Sequence, residues 1–251
     1  MKVNCDLGEH ANNEENPDAH IMPYIDMANI ACGGHAGDAQ TMADTIAMAK
    51  NEQVIIGAHP SYPDRANFGR VSLTLPKDAL VNSLVEQIDA LHSAATKQDA
   101  KVSYVKPHGA LYNDMMKDSD IFSSVCAAVA KTNRQRTPQQ KLMIQALVDN
   151  SEQRDIAKQY NIELIYEAFA DRGLLSDGRL QSRQYDNALI TDRIKVKKRV
   201  HQLIAHQEMT TVNSEIITIK ADTLCLHGDN PNAADIVTTI RTVLEELNED
   251  G

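Results

Sequence analysis

Apolar residues follow two rhythms along this chain: short β-prone runs, and longer stretches in which apolar positions recur at helical spacing. The runs Lys2–Cys5, Tyr24–Cys32, Val54–Ala58, Val102–Val105, Lys141–Ala146, Ile162–Tyr166 and Thr223–Leu226 predict strands, and Ile216–Ile219 is also β-prone. Between them, Met42, Ile46 and Ala49 mark a helix over Ala39–Lys50 with Asp38 at the capping position, and Leu80, Leu84, Ile88 and Leu91 mark another from Pro76 to about Lys97. Ile121–Lys131, Asp149–Tyr160, Ile194–His206 and Ala233–Leu247 complete the helices. Strands that alternate with helices over the whole length call for a parallel sheet. Charged residues at nearly every predicted strand exit favour a closed (β/α) barrel of about seven units over an open doubly wound sheet. The expectation is a single α/β domain spanning residues 1–251.

The polar pattern repeats at the strand ends. Val102–Val105 runs into Lys106-Pro-His108, Val54–Ala58 into His59-Pro60, and Thr223–Leu226 into His227-Gly-Asp229. Asn29-Ile-Ala-Cys-Gly-Gly-His35 does the same through a glycine turn, and the first strand exits through Asp6-Leu-Gly-Glu9. Parallel α/β folds gather the carboxyl ends of their strands on one face. Asp6, His35, His59, His108, His227 and Asp229 are therefore expected to line one mouth, with Glu9, Arg70, Lys106 and Arg172 nearby. A carboxylate with several imidazoles can hold a divalent metal or do acid–base work without one, and both readings stay open. Histidines that merely tie loops to backbone carbonyls are the bland alternative. Lys106 and the arginines suit an anionic substrate or phosphate, and Tyr112 and Asn113 either orient a substrate or cap the next helix. Arg65, Arg179, His10, His20, His201 and His206 read as solvated surface residues.

Composition removes several other classes. The formal charge of −10 and the pI near 5.3 disfavour nucleic acid and anionic membrane surfaces as partners. No stretch approaches the roughly 18 apolar residues of a membrane span, and Met1–Asp6 lacks the apolar core of a signal peptide, so a cytoplasmic location is expected. The four cysteines show no paired spacing and read as reduced core thiols. There is neither a GxGxxG turn after the first strand nor a Walker loop.

Seven stretches carry a resemblance to a known family. Asp6-Leu-Gly-Glu9, Asn29 to Asp38, Gly57-Ala-His-Pro-Ser-Tyr-Pro-Asp64, Phe68-Gly-Arg70, Lys106-Pro-His-Gly-Ala-Leu-Tyr-Asn113, Phe169-Ala-Asp-Arg172 and Cys225-Leu-His-Gly-Asp-Asn-Pro231 stand in the order and form seen in the LamB/YcsF family. The resemblance covers essentially the whole chain. It implies a distorted seven-stranded β/α barrel related to glycoside hydrolase and deacetylase barrels. It also implies work as one component of a three-part ATP-dependent 5-oxoprolinase, which opens the lactam of 5-oxo-L-proline to L-glutamate with 5-oxoprolinase subunits B and C and with Mg-bound ATP. On that resemblance Asp6, His35, His59 and His108 activate water or polarise the lactam, and the same four are the candidates should a metal be bound. Glu9, Arg70, Lys106, Asn113, Arg172, His227 and Asp229 would then hold substrate or phosphate.

Departures from the family pattern are local. Val71 stands where a second arginine is usual, Asn67 replaces a glycine, Arg172 is followed by Gly173 rather than tyrosine, and the loop after Glu9 is short. Two competing readings accompany the main one: a stand-alone metal-dependent deacetylase of a small amide or sugar, and a non-catalytic support component. Homo-oligomers fit any of the three.

Overall fold

The computed structural model describes residues 1–10, 16–134, 136–226 and 233–249. Seven parallel strands close a barrel: β1 (Lys2–Leu7), β2 (Met27–Ala31), β3 (Ile55–His59), β4 (Val102–Val105), β5 (Lys141–Gln145), β6 (Leu164–Phe169) and β9 (Thr223–Leu226), which pairs with both β6 and β1. Crossovers are made by α1 (Ala39–Asn51), α2 (Lys77–Thr96), α3 (Gly109–Met115) with α4 (Ser119–Asn133), α5 (Ser151–Gln159) and α6 (Arg193–His206); α7 (Ala233–Glu249) follows β9. The remaining strands, β7 (Glu208–Thr210) and β8 (Ile216–Thr218), form an antiparallel hairpin outside the barrel. This is why the β-prone run at Ile216 adds no barrel strand.

The main apolar core lies between strands and helices. Val3, Cys5 and Leu7 of β1 pack outward with Ile46 of α1 and Ile236, Val237 and Ile240 of α7, all essentially without solvent exposure. Burial of this surface, at about 25 cal/mol per Å² of apolar area, is the main force that presses helices onto the barrel. As expected, Asp38 caps α1, with Oδ1 accepting from the N–H groups of Gln40 at 3.0 Å and Thr41 at 2.9 Å.

The barrel interior is layered, as side-chain alternation along parallel strands requires. Its lowest layer is apolar, with Met27, Tyr104 and Met143 packed against Ile55 and Ile165. Above it the layer turns polar. Asn29 Nδ2 donates to Asn4 Oδ1 at 2.8 Å, Asn4 Nδ2 to Thr223 Oγ1 at 3.0 Å, and the Tyr104 hydroxyl to Asn29 Oδ1 at 2.6 Å. The Tyr104 ring occupies the space left by Gly57, where β3 and β4 shift register between Ile56 and Gly57.

Strand bounds differ from expectation: the first runs on through Asp6 to Leu7, and the second begins at Met27, with Tyr24 in a short 3-10 turn. The sixth was expected over Ile162–Tyr166, with Glu167 at its exit; it runs Leu164–Phe169, and Glu167 lies inside it, fully buried. A charge in mid-strand reads as a loop until its partner is known.

The tight approach at Gly57 yields a stability prediction. A Cβ there would stand 2.2 Å from the Tyr104 ring, so Gly57→Ala should cost roughly 1–3 kcal/mol by overpacking. Urea unfolding should show a lowered midpoint with unchanged slope. An unchanged midpoint would mean that the ring is free to move aside.

Candidate functional site

The polar stack rises to the carboxyl end of the barrel and ends in an ion-paired floor. Lys106, the residue after β4, is 2% exposed and turns its Nζ into the barrel, 2.8 Å from Asp6 Oδ1 and 2.9 Å from Glu167 Oε1. Burial alone would favour a neutral amine, but the two carboxylates outweigh it and raise the Lys106 pKa well above its ordinary value. Each carboxylate is held by a second donor: Asn29 Nδ2 reaches Asp6 Oδ1 at 2.8 Å, and the Tyr112 hydroxyl reaches Glu167 Oε2 at 2.7 Å.

Beside this floor three imidazoles surround one carboxylate. Glu9 Oε1 lies 3.0 Å from His35 Nε2, 3.2 Å from His108 Nδ1 and 3.7 Å from His59 Nε2. His59 Nε2 is in turn 2.9 Å from His108 Nδ1 and 3.4 Å from Asp6 Oδ2. The far nitrogens of two rings are fixed by main chain: His59 Nδ1 donates to Lys106 O at 2.7 Å, and His108 Nε2 donates to Phe68 O at 3.1 Å. Both carbonyls come from motifs singled out in the sequence. Phe68 and Gly69 have left-handed backbone, at φ 55° and 63°, and a Cβ on Gly69 would come 2.9 Å from His35 Cβ, which accounts for glycine between Phe68 and Arg70.

Burial sets the charge states. His35 is pushed down to about 4, chiefly by desolvation, and desolvation likewise lowers His108. Burial would raise the pKa of Glu9, but the adjoining His108 and His35 imidazoles hold it well below the usual carboxylate range. The arrangement is an anionic oxygen among imidazoles with open lone pairs, which can take up a proton or a divalent cation. All four cysteines are buried and outside any disulfide, and burial pushes their thiols up, Cys32 and Cys126 to about 12, so none is poised as a thiolate nucleophile.

A cavity of about 320 Å³ opens above the cluster. Asp6, Glu9, His59, Lys106 and His108 form its floor, while Arg70, Lys117 and Arg183 stand around its rim. Arg70 is exposed, with its guanidinium 4.9 Å above the Phe68 ring.

Several expected roles change on this geometry. The carboxylate at the centre of the imidazoles is Glu9; Asp6, expected there, has its Oδ1 in the ion pair with Lys106. Lys106 was expected to hold substrate or phosphate, but its ammonium is enclosed by Asp6 and Glu167. Arg172 also lines the cavity, yet it is buried and donates to Ala188 O at 3.2 Å and Gln181 O at 2.9 Å, which ties down the segment above the barrel. Asn113 lies within α3 rather than at its cap, and its Nδ2 reaches Gly109 O at 3.2 Å. His10, read as solvated, stands 3.5 Å from the buried Asp18. His227 and Asp229 fall outside the described residues. Glu167, Asn4, Asn29 and Tyr104 were missed as site support. Their signal was present as polar side chains inside apolar β-runs, which only an inward-facing polar network can satisfy.

The LamB/YcsF family model matches residues 1–250. The chain belongs to the LamB/YcsF family. A relative from Vibrio cholerae, named as the A subunit of 5-oxoprolinase, is 42% identical over 247 residues, covering 98% of each chain. Another of that name, from Pyrococcus horikoshii, is 37% identical over 98% of this chain and 94% of its own. Among solved structures, a lactam utilization protein from Thermus thermophilus superposes with a TM-score of 0.88 at 27% identity, covering 99% of this chain and 97% of that one.

The ion triad gives this site's prediction. Lys106→Met removes the one ammonium between the Asp6 and Glu167 carboxylates and should cost roughly 3–5 kcal/mol. Adding Glu167→Gln should cost much less in that background than in the parent chain, a coupling of about 1 kcal/mol or more in a urea double-mutant cycle. Strict additivity would show that Lys106 and Glu167 do not depend on each other.

Proposed function

We propose that this chain is the A component of an ATP-dependent 5-oxoprolinase, a single barrel domain over residues 1–251 that acts with subunits B and C in the cytoplasm. The observation that carries the reading is the pairing of an imidazole–carboxylate floor with a cationic rim over one cavity. It is supported by the names of relatives that match nearly the full chain. Among the described residues, no helix is long and apolar enough to cross a membrane.

The substrate is a five-membered lactam bearing one carboxylate. Arg70, with Arg183 and Lys117 at the rim, suits that carboxylate or a phosphoryl group. An unactivated lactam resists water. Phosphorylation of its carbonyl oxygen by Mg-bound ATP makes the ring carbon electrophilic. Water attacks that carbon, the C–N bond opens as the nitrogen takes a proton, and a second water hydrolyses the acyl phosphate so formed to the carboxylate and inorganic phosphate. Glu9, His59 and His108 line the cavity floor and can take the proton of a water bound there, a role worth typically 10²–10⁴-fold. Asp6 and Lys106 fix the floor against which they stand.

The same cluster favours a second reading, a metal-dependent amide or sugar deacetylase that needs no ATP. One assay separates the two. Glutamate and phosphate are measured from ATP and 5-oxoproline with the chain alone and with candidate B and C partners from the same genome. Release only in the mixture is expected; ATP-independent hydrolysis of simple amides by the chain alone would overturn the proposal. In the assembled enzyme, His59→Asn and His108→Asn should each lower kcat at least 100-fold. Arg70→Met should raise KM for 5-oxoproline about tenfold with a smaller change in kcat.

A further inference from the structure

The two outward hydrogen bonds of His59 and His108 fix their tautomers. Lys106 O and Phe68 O can only accept, so His59 Nδ1 and His108 Nε2 carry the hydrogens. His59 Nε2 and His108 Nδ1 therefore turn lone pairs toward each other across 2.9 Å, with Glu9 Oε1 3.2 Å from His108 Nδ1 and 3.7 Å from His59 Nε2. Three electron-rich atoms at these separations repel unless something positive stands among them. Ligand atoms held about 2.0–2.2 Å from a tetrahedral zinc-like ion are roughly 3.3–3.5 Å apart, close to the observed spacings. A proton is the alternative occupant, but it would make a cation of a buried ring stacked face to face on His35 at 3.7 Å.

We infer that Glu9, His59 and His108 bind one zinc-class divalent ion, and that His35 positions Glu9 without ligating it. The stacked His35 and His108 cannot both share an ion with His59, which is perpendicular to each, and the 2.9 Å approach of His108 Nδ1 to His59 Nε2 selects His108. His59 and His108 are nearly perpendicular, at 87°, so an ion can lie in both planes at once. His35 is parallel to His108 within 4°, so an ion in the plane of His108 lies a full stacking distance from the plane of His35. His35 is 2% exposed and sits behind the cavity floor, with Nε2 at 3.0 Å from Glu9. Carbonyl-anchored histidines and a hydrogen-bonded carboxylate are the supports that metal ligands ordinarily have. The open side faces the cavity, where an ion of this class would acidify a bound water, so with the ion in place these three side chains hold it and do not themselves take the proton of the water.

The inference stands on geometry and not on the lactam reading, and binding is measured without turnover. Tag-free full-length chain, stripped with chelator and dialysed, is titrated with Zn²⁺ by calorimetry and with Co²⁺ by visible absorption. One ion per chain is expected. Glu9→Ala, His59→Ala and His108→Ala should each weaken binding at least 100-fold. His35→Ala should weaken it 10–100-fold while keeping the 1:1 stoichiometry and the cobalt spectrum. Circular dichroism checks each fold, with Gln in place of Ala where a variant melts. The absence of saturable 1:1 binding, or parent-like binding by folded His59 and His108 variants, would overturn the site. Loss of the cobalt spectrum in folded His35→Ala would overturn the division of roles. An ion bound without lactam turnover would count only against the 5-oxoprolinase reading.

Discussion

The buried ammonium of Lys106 is the interaction on which the rest of the structure depends. Three parts of the barrel wall meet at it: β1 through Asp6, the end of β4 through Lys106 itself, and β6 through Glu167. A barrel of seven parallel strands has no covalent closure, and its interior layers are where register is fixed. Here the fixing layer is ionic, and below it a chain of hydrogen bonds through Asn4, Asn29, Tyr104 and Thr223 leads to an apolar base. Uncompensated charge so deep would cost several kcal/mol, so each partner makes the others tolerable.

The same residues connect fold to site. The Lys106 carbonyl anchors His59, while its side chain holds Asp6 beside that ring. The turn at Phe68 and Gly69 supplies the carbonyl that anchors His108, and Arg70 follows directly at the rim. Rigid main chain therefore sets the direction of two imidazoles and the cation above them. Preorganisation of this kind is what lets a small number of side chains act on a bound molecule.

Much of this was legible before any coordinates. Strands that end in Lys106-Pro-His108 and His59-Pro60 announce both their own termination and their chemistry, because proline stops the ladder and parallel topology carries every exit to one mouth. What stayed hidden was pairwise. Glu167 looked like loop because its charge is acceptable in a strand only beside Lys106. Glu9 takes the central place expected of Asp6, which reaches only His59 among the described imidazoles, because the two are three residues apart and spacing alone does not show which carboxylate stands among the imidazoles. Arg172 looked available for an anion until the carbonyls of Gln181 and Ala188 claimed its guanidinium.

The central claim is that the lactam is opened at the mouth of the barrel, over Glu9, His59 and His108 and beneath Arg70. A crystal structure of the chain with 5-oxoproline bound tests it most directly. The ring carbonyl is predicted to lie above the imidazole–carboxylate floor, with the substrate carboxylate turned to the cationic rim. Ligand bound elsewhere, with the cavity above Glu9 left to solvent, would contradict it.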